Sequence, residues 1–400
     1  MIKQILKQIW IQRSSNAWIY AELLLVFLLL WYIVDYGFMM VHNRCLPRGF
    51  SIENTYRIKY KDIVTDEDRY DLENLKMKIE NFKGVEGVLV AGKHDGTTPF
   101  SGSYQGNVLY TDTTEKATSI PGQFKSITSP KYFEIFDVRS VKYPGKLGRL
   151  DFSNRSSIAL SERMAKKIFG DEDPIGKSLF YKSGMELVVN DVVADQKRFD
   201  FTTYQNFFLV LGNENNITSP EIAFKVNNQF DLEEFRQKVS PKVGSYKMDK
   251  FSLEMTDGTR MNIHLRLFVM LFFVLSTSVG VFGTYWFRNQ ARRGEIGLRM
   301  SMGSSRREIL KHFVSEALLL LTLAAIPAMI IVAIILKLDI IEVVGLNNKQ
   351  GLYLTENIWL RGAITVAITY LFMALVVALS AWIPAYRAST VNPVDALRDE

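Results

Sequence analysis

Four long apolar runs constrain the fold of this 400-residue chain more than any other feature of its sequence. They cover residues 18–41, 267–287, 317–336 and 362–383. Each is long enough to cross the roughly 30 Å hydrocarbon core of a bilayer as a helix rising about 1.5 Å per residue. Between the first two runs lies a long polar stretch, residues 42–262. The sequence therefore predicts a membrane protein with four transmembrane α-helices and a large α+β domain between helices 1 and 2.

The distribution of charge predicts which segments lie on each side of the membrane. The formal net charge is +6, yet residues 41–262 contain 32 Lys or Arg against 31 Asp or Glu, so the large domain is nearly neutral. The basic excess lies in the N-terminal stretch and in the loop 288–312. Short flanks rich in Lys and Arg stay in the cytoplasm. We therefore expect those two segments and the C terminus inside, with residues 42–262 and the loop 337–361 outside.

These rules divide the chain into segments with definite predicted bounds. The extracytoplasmic domain is expected to contain two lobes, although the sequence does not place the boundary between them. The segments are a cytoplasmic amphipathic helix at 1–16, transmembrane helices at 17–41, 263–287, 313–336 and 362–384, a periplasmic domain at 42–262, a cytoplasmic loop at 288–312, an external loop at 337–361 and a cytoplasmic tail at 385–400.

The first apolar run contains residues that bear on its role. A cleaved signal peptide would have a small-residue cleavage site after its apolar body. Trp31, Tyr32 and Asp35 occupy that place, which favours a retained anchor. Glu22 lies inside the run, where an acid is either near the inner headgroups, which we favour, or facing a partner helix. Cys45 is the only cysteine, so an intrachain disulfide is excluded, and its surroundings favour an unmodified thiol.

The residue pattern of the large domain predicts mixed α and β structure. Short stretches rich in β-branched and aromatic residues alternate with amphipathic segments. Strands are predicted at 56–60, 87–91, 108–111, 157–160, 187–193, 207–211, 221–226 and 251–255. Helices are predicted at 66–82, at 161–169 with Ser161 as its cap, and at 232–239 with Asp231 as its cap.

The cytoplasmic loop after the second run has local signals for two short helices. Residues 294–302 read as one helix that Gly303 ends. Ser305 and Glu308 then form the pattern of a capping box for a second helix that continues into the third run. Ile296 and Leu298 place apolar side chains among arginines, a pattern compatible with a docking surface or with a solvated basic loop.

The C-terminal tail has a similar local signal. Asn392 and Pro393 are typical of a helix start, so a last short helix is predicted at 394–398.

No residue pattern of an enzyme is present in the sequence. The segment from Gly170 to Lys177 resembles a phosphate-binding loop, but five residues separate Gly170 from Gly176 where four are needed, and the segment follows a helix. We interpret it as a turn. The four histidines are scattered, and neither a metal-ligand spacing nor a nucleophile elbow occurs. Nucleic-acid binding is disfavoured because the basic residues flank the apolar runs instead of forming a groove interleaved with aromatics.

Four segments, in this order along the chain, carry a resemblance to a known family. They are Ser-Pro-x-Tyr-Phe at 129–133, Ser-Ile-Ala-Leu-Ser-Glu with its continuation Ile-Phe-Gly-Asp-Glu-Asp-Pro-Ile-Gly-Lys at 157–177, Arg-Gly-Glu-Ile-Gly-Leu-Arg at 293–299, and Ala-Tyr-Arg-Ala with its continuation Val-Asn-Pro-Val-Asp-Ala-Leu-Arg at 385–398. In this order they resemble ABC-transporter permeases of the MacB/FtsX-like family.

The resemblance implies a permease subunit that transmits the ATP-driven motion of a cytoplasmic ATPase to its external domain, for export or extraction of a substrate. Family members that export macrolides carry a fused ATPase. This chain starts at its membrane helix, so we expect a separate ATPase subunit that binds the ATP, and no cofactor on this chain. Ile296 and Leu298 would be apolar knobs seated in that ATPase, and Glu295 and Arg299 the orienting charges. The implied coupling residues are Glu295, Ile296, Gly297, Leu298, Arg299 and Gly303.

The family also implies partners and a location. A second permease chain is expected, in a homodimer or a heterodimer, within the bacterial inner membrane and in contact with its lipids. The external partner would be an adaptor, a lipoprotein carrier or a hydrolase. The alternative function is that of an FtsX-like regulator, which activates external cell-wall hydrolases without transporting. A sensory receptor and a membrane-anchored hydrolase have less support, since the sequence contains neither a signalling domain after the fourth run nor a catalytic set.

Overall fold

The computed structural model describes residues 7, 11, 13–92, 97–100, 106–114, 118–202, 204–256, 259–291, 296, 298, 300–338 and 358–389. The chain forms two compact units, one made of Met1–His42 and Arg260–Glu400, the other of Asn43–Thr259. Most of the predicted helix at 1–16 and all of the predicted helix at 394–398 lie outside the described residues.

The described helices and strands are numbered here in chain order. The helices are α1 (Arg13–Cys45), α2 (Asp66–Glu80), α3 (Lys131–Ile135), α4 (Glu162–Phe169), α5 (Leu232–Lys238), α6 (Tyr246–Thr256), α7 (Thr259–Ala291), α8 (Arg306–Leu338) and α9 (Ile358–Ser389). The strands are β1 (Thr55–Lys59), β2 (Val85–Gly92), β3 (Gly106–Tyr110), β4 (Ser119–Ile127), β5 (Ser157–Ser161), β6 (Ser178–Phe180), β7 (Glu186–Val193), β8 (Phe207–Leu211), β9 (Pro220–Val226) and β10 (Val243–Ser245).

Four of these helices are long and apolar enough to cross a membrane, as the sequence predicts. The candidate spans are Ala17–Cys45 in α1, Met261–Arg288 in α7, Arg306–Leu338 in α8 and Ile358–Arg387 in α9. Together with the α+β domain between the first two spans, they confirm the predicted fold class.

The membrane helices share one apolar core, in which small side chains line α8. Ala324 and Ala328 of α8 and Ala381 of α9 are fully buried in this core, together with Phe27 of α1 and Tyr285 of α7. Because alanine has no side chain beyond Cβ, the helix backbones can approach closely, as is typical of helix contacts in membranes. Large apolar side chains occupy the outward faces, where lipid is the solvent; Phe268, Leu275, Ile330, Leu371 and Leu375 are all more than half exposed.

The unit Asn43–Thr259 is called here the outer unit, after its predicted location. Its first lobe is a four-stranded antiparallel sheet in the order β10–β1–β9–β2. The middle strand β1 pairs on both sides, with Tyr56 opposite Phe224 of β9 and opposite Ser245 of β10. Helices α2 and α5 cover one face, where Ile79 and Phe235 are fully buried against Phe224. Burial of this apolar cluster stabilises the lobe, because the hydrophobic effect scales with the apolar area removed from water.

The second lobe is a closed barrel in the order β3–β4–β8–β5–β7–β6. Strands β4 and β8 run parallel, as do β5 and β7, and the other pairs are antiparallel. Met164 of α4 is buried in the barrel core beside Phe208. A further apolar cluster, which includes Phe133, Phe207 and Tyr246, joins residues of both lobes. The chain passes from the sheet to the barrel after β2 and returns before β9, which is the lobe boundary that the sequence leaves open.

The predicted strand at 251–255 is wrong, because these residues lie within helix α6. Phe251 and Met255, which suggest a half-buried strand by alternation, are both about half exposed, whereas Glu254 is buried. A five-residue window cannot separate alternation from helical period when the buried position is polar. Sequence reasoning also missed β4, β6, β10 and α3.

Local capping signals agree with the structure where the side chains can be followed. Asp231 accepts hydrogen bonds from the backbone N–H of Glu233 and Glu234 at the start of α5 (2.9 and 3.1 Å), so that cap is confirmed. Ser161 does precede α4, but its hydroxyl accepts from the backbone N–H of Phe207 in the barrel (3.3 Å) and makes no cap. The segment that resembles a phosphate-binding loop forms turns, as interpreted from the sequence.

Candidate coupling site

The loop between the second and third spans contains a bend at Gly303, called here the elbow, between helical residues that end at Ser301 and the start of α8. The backbone N–H of Gly303 donates to the carbonyl of Met300 (3.1 Å), and Gly303 has φ +98°, a conformation that favours glycine because it has no Cβ. The capping box is present as predicted: the Glu308 carboxylate accepts from the N–H of Ser305 (2.9 Å), and the Ser305 hydroxyl accepts from the N–H of Glu308 (3.3 Å). The second segment is therefore fixed at the start of α8.

The two predicted apolar knobs face in different directions. Ile296 is 5% exposed and packs with Ile309 and Phe313 of α8 and Ala385 of α9. Leu298 is 51% exposed. Helical residues two positions apart point about 200° away from each other, so one of the pair must face outward when the other is buried. The structure thus gives Ile296 an anchoring position in the chain's own core, in place of the outward position expected for a knob.

The other predicted coupling residues can be followed only in part. Met302 is 72% exposed and enlarges the outward apolar face that Leu298 begins. Glu295, Gly297 and Arg299 lie outside the described residues.

A buried ion pair joins α7 to α8. Arg288 Nη1 donates to Glu316 Oε1 at 3.1 Å, and the side chains are 10% and 1% exposed. The Arg288 guanidinium also lies 5.8 Å from the ring centroid of Tyr285. The sequence does not predict this pair: Arg288 contributes there to the basic loop at 288–312, and Glu316 to the resemblance to the permease family. A carboxylate at this depth is costly unless a cation compensates it, so the pair fixes these two helices relative to each other.

A second buried ion pair joins α1 to α9. Arg361 Nε donates to Asp35 Oδ1 at 3.1 Å, and the two residues are 1% and 2% exposed. The Thr365 hydroxyl lies 3.2 Å from the same carboxylate oxygen and accepts a hydrogen bond from Trp31 Nε1 at 3.1 Å. Ionisable residues within membrane spans are rare and usually functional, because each needs a partner in a medium without water.

The sequence does not predict this pair, because Asp35 and Arg361 lie in different predicted segments and neither segment indicates a partner for its charge. The predicted bounds place Arg361 at the end of the external loop 337–361, whereas the structure places it inside α9. Asp35 was used only against a signal peptide. The available signal was an acid inside the first predicted span together with a base at the edge of the fourth, since two such charges gain most by pairing.

Helix α1 also contacts α7 through polar side chains. Arg266 Nη2 donates to the Tyr32 hydroxyl at 2.9 Å, and its guanidinium lies 3.4 Å from the ring centroid of Tyr36. The Glu22 carboxylate lies against Gly280, where an added Cβ would be 2.8 Å from its Oε1. Of the two alternatives for Glu22, the structure therefore matches the one in which it faces a partner helix. Among the residues that the structure describes, no group of three or more His, Cys, Asp or Glu is placed to hold a metal ion.

The chain is similar to known permeases. The FtsX-like permease C-terminal family matches residues 267–393. The macrolide export ATP-binding/permease protein MacB of Neisseria meningitidis is 22% identical over 294 residues, which cover 67% of this chain and 42% of that protein. The protein of the same name from Aggregatibacter actinomycetemcomitans is 28% identical over 235 residues, which cover 52% of this chain and 35% of that protein.

A solved structure is also similar to the chain. The periplasmic region of MacB from Actinobacillus actinomycetemcomitans aligns with a TM-score of 0.32 and 18% identity, covering 52% of this chain and 95% of that one. The chain spans less than half the length of the two MacB relatives. The matched family is a family of transporter permeases and not a class of enzymes. Residues 267–393 thus match the FtsX-like permease C-terminal family, and with its four apolar helices the chain is a multi-pass protein of the bacterial inner membrane.

Proposed function

We propose that this chain is the permease subunit that transmits the ATP-driven motion of a separate ATPase subunit across the membrane to residues 43–259, for export or extraction of a substrate. The observation that carries the proposal is the elbow at 296–303. It buries Ile296 against α8 and α9 and leaves Leu298 and Met302 exposed. One apolar face is thus available to a partner while the opposite face is anchored in the membrane helices.

The anchoring explains how a force on the exposed face would reach the spans. Ile296 contacts two different helices, so the elbow cannot shift without moving both or opening a cavity, which costs about 1 kcal/mol for each methylene removed from its contacts. Glu295, Gly297 and Arg299 are assigned by resemblance to the same coupling segment. ATP would be bound by the ATPase subunit, and this chain would need no cofactor of its own.

The two buried ion pairs extend this path through the membrane helices. Arg288 and Glu316 connect α7 to α8, and Asp35 and Arg361 connect α1 to α9. Helices α1 and α7 are the membrane helices that adjoin residues 43–259 along the chain. Breaking such a pair leaves a buried charge without compensation, so the helices are held in one arrangement and move together.

The proposed assembly contains two permease chains, either identical or different, on two ATPase subunits. Residues 43–259 would contact an external partner, which is an adaptor, a lipoprotein carrier or a hydrolase. Capture of a cell-wall hydrolase by this unit, with no cargo exported, would instead support the FtsX-like regulatory function.

The test of the proposed function is a comparison of two exposed leucines. Leu298 is 51% exposed at the elbow, and Leu271 is 56% exposed on α7. We expect Leu298→Asp to abolish stimulation of the co-purified ATPase in nanodiscs while the permease remains inserted and folded. Leu271→Ala should leave the stimulation unchanged. Full stimulation of the ATPase by the Leu298→Asp variant would contradict the proposal.

A further inference from the structure

The end of α1 is held by a buried lysine from a distant part of the outer unit. Lys197 is 3% exposed, and its ammonium donates to the backbone carbonyl of Asn43 and lies 3.5 Å from that of Arg44. The last carbonyls of a helix have no partner within the helix, and they form the negative end of its dipole. A lysine at this place therefore satisfies carbonyls that would otherwise be buried without a partner.

Further hydrogen bonds connect residues 43–48, at and just after the end of α1, to residues 197–201. Asn43 Nδ2 donates to the carbonyl of Phe201 (3.0 Å), and the backbone N–H of Lys197 donates to the carbonyl of Arg48 (3.2 Å). Gly49 has φ +78°, and a Cβ there would collide with the backbone carbonyl of Asp195. The chain that leaves α1 therefore lies directly on the segment at 195–201, with no space between them.

The segment also holds α6, the helix that precedes the second membrane span. The Asp200 carboxylate accepts from Arg48 Nη2 at 2.6 Å and from the ammonium of Lys250 on α6. The backbone N–H of Asp200 donates to Glu254 Oε1 at 3.1 Å, and Glu254 is 1% exposed. Burial works against ionisation of Asp200, but the bonds from Lys250 and Arg48 hold the pKa of its carboxyl below the ordinary value.

Helix α6 is in turn fixed to the sheet. Arg57 of β1 contacts Asp249 of α6 through Nη2 (2.5 Å) and Glu221 of β9 through Nη1 (3.2 Å). The fully buried Tyr246 donates its hydroxyl hydrogen to Glu221 Oε1 (2.7 Å). Because these side chains are mostly buried, their ion pairs are screened much less than surface pairs.

We infer that residues 197–201, named here the joint segment, couple the helix entering the outer unit to the helix leaving it, with Lys197 and Asp200 as positioning residues. The inference rests on the proposed function, since it specifies where motion of α1 and α7 passes into the outer unit. The joint segment bonds to the end of α1 and to α6, and along the chain it lies between the barrel strands β7 and β8. Displacement of either membrane helix would therefore pull on the same short segment.

The experiment compares Lys197→Met with Lys238→Met in the full chain, purified with its ATPase in nanodiscs. Lys238 forms an ion pair with Glu234 on the exposed face of α5, so it controls for loss of one lysine charge. We expect Lys197→Met to speed amide hydrogen exchange at residues 43–45 about tenfold, the effect of losing a favourable charge at a buried helix end. Lys197→Arg should restore most of the protection, and Lys238→Met should not change it.

A second readout measures the motion itself. Spin-label distances between the two copies of the outer unit are recorded with and without ATP. Lys197→Met should lose most of the ATP-dependent change in distance while the protein stays folded and ATP turnover stays near that of the unchanged protein. Unchanged exchange at residues 43–45, or an unreduced distance change, would overturn the inference. If the unchanged protein shows no ATP-dependent distance change, the proposed function fails, and hydrogen exchange alone then decides whether Lys197 holds the end of α1.

Discussion

The buried pair of Asp35 and Arg361 predicts a large and strongly non-additive effect on stability. Both residues are at most 2% exposed, and Nε and Oδ1 are 3.1 Å apart. Replacing one partner leaves the other as a buried charge without compensation, which costs about 3–5 kcal/mol. Asp35→Leu and Arg361→Met should therefore each lower the free energy of unfolding by this amount.

The double variant should recover most of that loss. Without either charge, α1 and α9 face each other through apolar side chains of similar volume, an exchange that is often neutral or stabilising. What remains is the loss of the hydrogen bond between Thr365 and Asp35, about 1 kcal/mol. If the single losses are about 4 kcal/mol each and the double loss about 1, the interaction energy is about 7 kcal/mol, with an uncertainty of a factor of two.

The measurement is equilibrium unfolding of the full chain in mixed micelles, followed by tryptophan fluorescence for all four members of the cycle. The control cycle uses Glu233 and Arg236 on α5, an exposed pair whose interaction energy should stay below about 1 kcal/mol. Additive losses at Asp35 and Arg361, within about 0.5 kcal/mol, would refute the claim that the two charges compensate each other in the membrane.

Three further predictions concern the outer unit. Burial lowers the pKa of Lys125 to about 7, so the folded state binds fewer protons than the unfolded state above that pH, and stability should rise from pH 7 to 9 by up to about 1.4 kcal/mol per unit. Lys125→Met should reduce that slope in thermal unfolding of the full chain and leave the part due to Lys197, whose pKa burial lowers to about 8; a pH profile parallel to that of the unchanged protein would contradict the prediction. Gly148→Ala should cost about 1–3 kcal/mol in the same assay, because the new Cβ would lie 2.7 Å from Phe133 Cδ1, whereas Gly244→Ala meets no atom within 4 Å. Thr65→Ala should remove the capping box of α2 and cost about 1 kcal/mol, while Thr65→Ser retains most of it, as local hydrogen exchange in α2 can measure.

Signals confined to a few neighbouring residues predicted the structure well. The capping box of Ser305 and Glu308 and the cap at Asp231 depend only on residues three or fewer positions apart. The four spans follow from length and hydropathy, because lipid imposes one solution on an apolar helix. In these cases the local sequence alone determines the conformation.

Features that depend on distant partners could not be read in this way. Strand β4 contains Pro121, Gly122 and Lys125, and one of its two partners, β8, is more than eighty residues away in the chain. Which of Ile296 and Leu298 is buried depends on contacts with Phe313 and Ala385 rather than on either residue. The ion pair of Asp35 and Arg361 likewise needs the packing of the first helix against the fourth, which no local pattern specifies.

The pairing of β1 with β10 has a mechanical consequence for the outer unit. β1 follows α1 and β10 precedes α6, and the two strands are antiparallel with Tyr56 opposite Ser245, so the start of β1 and the end of β10 lie side by side at the same end of the sheet. A force that separates these two points would break the hydrogen bonds between β1 and β10 one after another. The two strands pair over only a few residues, so they would resist such a force weakly. If both segments move together in the same direction, no force separates β1 from β10. We therefore expect the sheet to withstand equal movements of the two segments better than unequal ones.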